Sequence, residues 1–207
     1  MKTRLDNRVI DLRTQAKHAI FRISSTVCEL YREFLLKHDF VEIHTPKLIA
    51  GSSEGGANVF KFKYFNREAC LAQSPQLYKQ MCVMSDFQRV FEIGPVFRAE
   101  NSFTHRHMCE FVGMDLEMTI KEHYFEILEF FGELLPFIFE NIAKRCEKEL
   151  KIVNEQFECQ PFKCKYPVVK ITFEEGVALL KENGIDWKVD EDLDTATEKK
   201  LGEFGTF

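Results

Sequence analysis

The chain has 207 residues, of which 45% are hydrophobic and 29% are charged, a composition typical of a globular domain with a hydrophobic core. The formal net charge of −5 excludes a chain-wide positive field that would attract nucleic acid, so a nucleic-acid contact would have to be local. Without a long apolar run or a signal-peptide pattern, the sequence predicts a cytoplasmic protein with reduced thiols. Cys159 and Cys164 lack the second ligand pair that a zinc site requires, so no metal site is predicted.

The first third of the chain predicts a long helix followed by a short strand. Residues 1–13 carry mixed charges and predict an extended lead-in. Apolar residues at spacings of three and four predict an amphipathic helix over Thr14–Lys37. A strand over Phe40–Ile43 should end before Pro46, because proline cannot continue ladder pairing. The pattern leaves two interpretations open, an interface element or a surface helix on a sheet.

The next stretch predicts a hairpin and then a helix that carries an unusual cation. Residues 51–56 are rich in glycine, which is typical of a flexible connector or of a mobile lid. Val59–Phe65 and Ala69–Ala72 predict the two hairpin strands. Ser74 as a cap and Pro75 as the first residue predict a helix over 76–85. Lys79 lies near its N-terminus, where the helix dipole disfavours a cation, so it is either solvated or directed at an anion.

Phe91–Met118 predicts two strands around a polar loop of about eight residues that contains no glycine. Side chains alternate between the two faces of a strand, so one face of this hairpin is apolar. The other face presents charged and aromatic side chains together: Arg98, Glu100, Phe111, Asp115 and Glu117. The loop adds hydrogen-bond donors, namely Asn101, His105, Arg106 and His107. This hairpin is therefore the predicted binding site.

The last 90 residues predict mainly helices. A helix over Glu122–Leu150 should kink or break about one turn before Pro136. An irregular segment over 151–167, a strand over Val168–Thr172, a helix capped by Thr172 that ends at Asn183–Gly184, and a final helix over Thr197–Phe204 complete the prediction.

Five blocks of the sequence resemble the aspartyl-tRNA synthetases, a branch of the class II aminoacyl-tRNA synthetases, and they follow one another along the chain in the order that this family has. Phe97–Ser102 with His105–Phe111 resembles the second class II signature, and Asp39–Leu48 resembles the first. Ser53–Gly56 with Asn58–Phe60 resembles the mobile loop of this family, and Leu71–Gln80 resembles its amino-acid pocket. Arg4–Arg8 and Asp11–Arg13 resemble the start of the catalytic domain. The archaeal and eukaryotic type fits better than the bacterial type.

The resemblance implies an α+β fold, a mainly antiparallel sheet flanked by helices, and ligation of L-aspartate to tRNA(Asp) with ATP. It implies that Arg98 clamps the α-phosphate of ATP and that Phe111 stacks on adenine. Glu100 would bind the adenine amino group or the tRNA end, and His107 and Arg106 would reach the γ-phosphate. Lys79 would pair with the carboxylate of the aspartate side chain. The ammonium group of the substrate would be held by four residues: Gln76, Asp115, Ser53 and Glu54.

The resemblance also implies that residues 1–207 form a partial catalytic domain. Residues 1–13 would be the lead-in after an anticodon-binding domain, 14–120 the core with two signatures, and 121–207 a helical insertion. The third signature, with an arginine for ATP and acidic ligands for Mg²⁺, would lie outside these residues. Pro46 would lie in the interface of a cytoplasmic homodimer. Two other functions stay open: an asparagine–tRNA ligase, which Lys79 argues against, and a non-catalytic interaction module.

Overall fold

A computed structural model of the chain describes residues 2–52, 59–101, 107–161 and 166–204. The described helices are α1 (Lys2–Asp6), α2 (Arg8–Leu12), α3 (Gln15–Lys37), α4 (Gln76–Met84), α5 (Phe125–Arg145), α6 (Glu147–Gln156), α7 (Phe173–Glu182) and α8 (Thr195–Phe204). The strands are β1 (Val41–Glu42), β2 (Leu48–Ile49), β3 (Lys61–Tyr64), β4 (Arg67–Leu71), β5 (Arg89–Phe97) and β6 (Glu110–Met118). The chain divides into two units, one formed by Phe21–Phe130 and the other by Met1–Ile20 with Phe131–Phe207.

The unit Phe21–Phe130 contains two small sheets, with strand orders β1-β5-β6 and β2-β4-β3. All pairs are antiparallel except β1 with β5, in which Val41 lies opposite Val90. The predicted antiparallel hairpin is confirmed, since β5 and β6 pair continuously from Arg89–Met118 to Phe97–Glu110. The α+β class and the mainly antiparallel pairing expected for the chain are therefore confirmed.

The second sheet meets the first at the end of β5. The Ala72 amide, just after β4, donates to the Lys47 carbonyl at 2.9 Å, and the Phe97 amide donates to the Ala72 carbonyl at 3.0 Å. Ala72 therefore lies beside the last residue of β5. This contact fixes the start of α4, which begins four residues later, next to the face of β5 and β6.

The second half of α3 covers the opposite, apolar side of this unit. Leu30 and Leu35 are fully buried, and the Tyr31 ring meets the Phe91 ring edge-on with 6.0 Å between centroids. Phe34 contacts Phe130 at 5.4 Å. The amphipathic helix that the apolar spacing predicted is confirmed, because burying this stripe against β5 removes large apolar surfaces from water.

The N-terminal segment is helical, so the prediction of an extended lead-in is wrong. The mixed charges pair along helical turns: the Asp11 carboxylate binds Arg8 and lies 3.6 Å from Arg4. Asp11 is only 6% exposed, so the two arginines compensate a buried charge. Side chains three residues apart are neighbours on a helix surface, so the Arg8–Asp11 pair favours the helical form of α2.

The unit that contains the C-terminal residues corrects three further predictions. A kink or a break was predicted about one turn before Pro136. Helix α5 runs unbroken through Pro136 and ends at Arg145, so the break is wrong, and the kink stays a prediction. Pro136, Leu134 and Ile138 are all buried, so this part of α5 is packed on more than one side, and that packing outweighs the hydrogen bond that proline removes. Residues 147–156 form α6, although a loop was predicted from residue 151 onward.

Residues 168–172 form no strand, because no partner strand lies beside them in the described part of this unit. Thr172 instead caps α7: its hydroxyl accepts from the Glu175 amide at 3.1 Å, and the Glu175 carboxylate accepts from the Thr172 amide. The predicted cap is thus confirmed, and so is the end of the helix at Asn183 with Gly184 at a φ of 80°. None of the described helices is long and apolar enough to span a membrane.

Candidate active site

Lys79 lies in the first turn of α4 and is only 3% exposed. Its Nζ atom lies 3.0 Å from Asp115 Oδ1, 3.5 Å from Glu117 Oε2 and 3.3 Å from the Leu116 carbonyl oxygen. Two carboxylates on one face of β6 therefore compensate a buried ammonium group that the helix dipole alone would disfavour. The structure excludes the solvated interpretation of Lys79. It also shows that the cation already has two anionic partners.

Gln76 and Glu117 extend the same cluster. Gln76 Nε2 lies 3.5 Å from Glu117 Oε2, which is longer than an ordinary hydrogen bond and makes this a weak polar contact. The sequence predicts Glu117 on the same hairpin face as Asp115, but Glu117 is not among the predicted substrate ligands. Its contacts with Gln76 and Lys79 make it a member of the pocket. The alternation of β6 was the signal that could have identified it.

Arg98 follows β5 directly and lies beside Phe111. The Arg98 amide donates to the Cys109 carbonyl at 3.0 Å, which holds the start of the connection in place. The Cζ atom of the guanidinium group lies 5.6 Å from the centroid of the Phe111 ring, within the range of a cation–π contact. Arg98 Nε is buried and has no hydrogen-bond partner among the described residues. A buried N–H group without an acceptor is unfavourable, so an anion bound here would satisfy it.

Of the remaining residues predicted to bind a substrate, the structure describes Glu100 and His107 but not the others. Glu100 Oε2 lies 3.7 Å from His107 Nε2, so these two half-exposed side chains face each other across the start and end of the polar loop. Ser53, Glu54 and Arg106 lie outside the described residues, and so does His105. The predicted contribution of the mobile loop to the site therefore stays a prediction.

Two glycines on this face allow the Glu92 and Asp115 carboxylates to lie close to the sheet. Gly94 on β5 lies opposite Gly113 on β6. A Cβ atom on Gly113 would come within 3.0 Å of Asp115 Oδ2, and one on Gly94 within 3.1 Å of Glu92 Oε1. Side chains at these positions would push the two carboxylates away. The glycines thus allow both carboxylates to keep their positions on this face.

Glu92 is a buried carboxylate on β5 that lies opposite Asp115. It is 3% exposed, and it accepts hydrogen bonds from the Thr45 amide at 2.9 Å and the Thr45 hydroxyl at 2.7 Å. Lys47 Nζ lies 2.9 Å from Glu92 Oε1. Burial by itself would raise the pKa of the Glu92 carboxyl, but the hydrogen bonds from Thr45 and Lys47 outweigh it and hold the pKa below its ordinary value.

The site is therefore one face of a hairpin with an acidic cluster at one end and an arginine–aromatic pair at the other. An ammonium group suits the carboxylates, and a phosphate beside a flat aromatic ligand suits Arg98 and Phe111. No group of three or more His, Cys, Asp or Glu side chains that could hold a metal ion occurs in the described ranges. This arrangement can bind an amino acid and a nucleotide side by side.

Comparisons with known proteins agree with this chemistry. The family model for class II tRNA synthetases (D, K and N) matches residues 1–205. The chain is 56% identical over 201 residues to "Aspartate--tRNA ligase 1, cytoplasmic" from Arabidopsis thaliana, covering 97% of this chain and 38% of that protein. It is 52% identical to "Aspartate--tRNA ligase, cytoplasmic" from Homo sapiens over 200 residues, which cover 97% of this chain and 40% of the human protein.

Two solved structures have the same fold. A putative aspartyl-tRNA synthetase from Leishmania major superposes with a TM-score of 0.89 at 41% identity, covering 99% of this chain and 46% of that one. The asparaginyl-tRNA synthetase from Pyrococcus horikoshii, complexed with asparaginyl-adenylate, gives a TM-score of 0.84 at 31% identity. The match covers 98% of this chain and 46% of that one. The chain thus spans less than half the length of the relatives that it matches.

Proposed function

We propose, because this chain belongs to the class II tRNA synthetase family (D, K and N), that it is part of an aspartate–tRNA ligase. In this reaction the α-carboxylate of L-aspartate attacks the α-phosphorus of ATP, which yields aspartyl-adenylate and pyrophosphate. The aspartyl group then passes to the 3′ end of tRNA(Asp), and AMP leaves. The single observation that carries the proposal is the placement of the Lys79 cluster and the Arg98–Phe111 pair on one face of one hairpin.

Arg98 would bind the α-phosphate and stabilise the negative charge that develops there during the attack. Its guanidinium group presents a fixed fork of donors, and the buried Nε atom has no acceptor among the described residues. Phe111, whose ring already contacts Arg98, would stack on adenine. Glu100 would accept a hydrogen bond from the adenine amino group or position the tRNA end. His107 and Arg106 would reach the γ-phosphate, and His107 lies near Glu100 at the loop end.

Asp115, Gln76 and Glu117 would bind the ammonium group of the substrate, with Ser53 and Glu54 added from the mobile loop. One ammonium group, Lys79, stands against two carboxylates in the cluster, so the cluster carries a surplus negative charge that suits a cation. Lys79 would pair with the side-chain carboxylate of aspartate. Because Lys79 is already paired, binding both carboxylates of aspartate requires further cations from the rest of the whole protein.

Mg²⁺ accompanies ATP in this proposal, and its ligands would come from other parts of the protein. The described residues of this pocket do not fit a Mg²⁺ site, since Asp115 and Glu117 are both engaged by the Lys79 ammonium group. No step of the proposed mechanism is therefore assigned to a metal ion held by these residues. Positioning and electrostatic stabilisation are the contributions of this chain.

A cytoplasmic homodimer is the proposed assembly. Pro46 is exposed and lies between the exposed Val41 and Leu48, which are 45% and 47% accessible. Such apolar side chains beside a short strand suit a self-complementary contact around a twofold axis. The cytoplasmic location follows the names of the relatives from Arabidopsis and human.

Aspartate-dependent ATP–pyrophosphate exchange by the complete natural protein tests this function. We expect exchange with aspartate and at most a trace with asparagine, and transfer of aspartate to tRNA(Asp). Arg98→Ala should abolish exchange, whereas Arg67→Ala, which removes an exposed arginine at the start of β4, should leave it unchanged. Exchange with asparagine alone would overturn the substrate assignment. A folded protein without ATP binding would instead support a non-catalytic module.

A further inference from the structure

A second lysine–carboxylate pair lies beside the pocket, and the proposed reaction makes no use of it. Lys47 and Glu92 are in contact at 2.9 Å, with side chains that are only 19% and 4% exposed. Lys47 Nζ also donates to the Thr45 hydroxyl at 2.9 Å, and that hydroxyl donates to Glu92. The three side chains therefore form a closed network in which every buried charge is matched.

This network replaces strand pairing where β1 leaves the sheet. The last bond of that pairing is from the Ile43 amide to the Phe91 carbonyl at 2.8 Å. Beyond it, the Thr45 amide turns to the Glu92 carboxylate instead of a backbone carbonyl. Because Pro46 has no amide hydrogen, Glu92 is the group on β5 that holds the chain on both sides of the proline.

Glu92 also lies directly opposite Asp115 in the β5–β6 register. Side chains in such cross-strand pairs have Cβ atoms about 5 Å apart, so their charges act on each other. The Lys47 ammonium group is linked to the acidic cluster of Asp115 and Glu117 through Glu92, which it contacts and which pairs across the strands with Asp115. As long as it is bound to Glu92, the two charges cancel and the surplus negative charge of the cluster remains.

We propose that Glu92 is a positioning residue of the amino-acid pocket, which holds Lys47 in a neutral pair and so keeps its ammonium group from competing with that of the substrate for Asp115 and Glu117. The proposal rests on the proposed function for the identity of the substrate. It requires only that the substrate carries an α-ammonium group. Gly94 supports it, since any side chain there would displace Glu92 Oε1.

A double-mutant cycle that removes the charges of Glu92 and Lys47 in the full-length protein tests the proposal. Glu92→Gln keeps the shape but releases the Lys47 cation beside the pocket, so we expect the KM for aspartate to rise about tenfold while the KM for ATP changes less than about twofold. Glu92→Gln combined with Lys47→Met removes both charges and should restore the KM for aspartate to within about threefold of the wild type. Glu92→Asp keeps the charge and should be milder than Glu92→Gln.

If Glu92 acted only by holding the backbone in place, the two single variants would have effects in the reverse order. Glutamine is isosteric and can still accept the bond from Thr45, so Glu92→Gln would then be milder than Glu92→Asp, and adding Lys47→Met would cause further damage. Either result overturns the proposal. Should Glu92→Gln not fold, the double variant decides: near-normal KM supports the proposal, and a raised KM or an unfolded chain contradicts it.

The matched control is the exposed pair Lys188–Glu191, whose atoms are 2.7 Å apart. Glu191→Gln and the double variant with Lys188→Met should leave every KM unchanged. A wild-type protein that uses asparagine and not aspartate would contradict the proposed substrate alone. The same cycle would then be measured with the KM for asparagine, because both amino acids present the same ammonium group.

Discussion

Replacing Lys79 with methionine should cost both stability and aspartate activation. Methionine keeps the length and volume of the buried chain but removes the charge that lies 3.0 Å from Asp115 and 3.5 Å from Glu117. Breaking a fully buried pair costs about 3–5 kcal/mol, because the remaining partner keeps an uncompensated charge. The two carboxylates here are 29% and 27% exposed, so water partly compensates them and we expect a loss of about 2 kcal/mol.

The urea midpoint of unfolding measures this loss, and ATP–pyrophosphate exchange measures the activity. The value of kcat/KM for aspartate should fall at least about 100-fold, which corresponds to about 2.7 kcal/mol. Lys188→Met is the control, since its partner Glu191 lies at 2.7 Å but both side chains are exposed, and we expect less than about 0.5 kcal/mol. A Lys79→Met protein with unchanged stability and unchanged KM for aspartate would refute the role of the cluster.

Two further predictions concern the glycine beside Asp115 and the acid stability of the fold. Gly113→Ala should raise the KM for aspartate about threefold to tenfold, because its methyl group would lie 3.0 Å from Asp115 Oδ2 and would displace that carboxylate. Gly132→Ala in α5 is the control: its methyl group meets nothing within 4 Å, so it should stabilise the helix by about 0.5–1 kcal/mol. Glu42→Gln should lower stability at pH 7 by about 0.5–1 kcal/mol, because it breaks a two-bond pair with Arg32 at 2.8 Å.

The pH dependence of that last variant has a definite sign. The side-chain hydrogen bond from Arg32 lowers the pKa of the Glu42 carboxyl below its ordinary value of 4.5. Its stabilisation is therefore complete above pH 4.5 and is lost as the pH falls through the lowered folded value. Unfolding free energies measured from pH 3 to 6 should converge between wild type and Glu42→Gln at the acid end. Parallel curves would contradict the assignment of the Glu42–Arg32 pair. An unchanged KM for aspartate in Gly113→Ala would contradict the need for a glycine beside Asp115.

The sequence by itself determined those helices and strands that form from local patterns, without contacts to distant parts of the chain. The spacing of apolar residues predicted α3, and Thr172 with Glu175 marked the start of α7 because a capping box satisfies its own backbone donors. The period-two alternation placed Arg98, Phe111 and Asp115 on one face before any register was available. Strand geometry alone fixes that alternation, so the candidate site was predictable from the hairpin.

Only the tertiary structure decided which charges meet and which local signals are overridden. Lys79 seemed misplaced at a helix start until folding brought Asp115 and Glu117 beside it from a strand 36 and 38 positions later. Glu92 gained its role from Thr45, 47 residues earlier in the chain. Pro136 failed to break α5 because its neighbours are packed in a core that the local sequence does not show. The energy of buried charges and of core packing depends on partners from other elements, so sequence spacing by itself could not supply it.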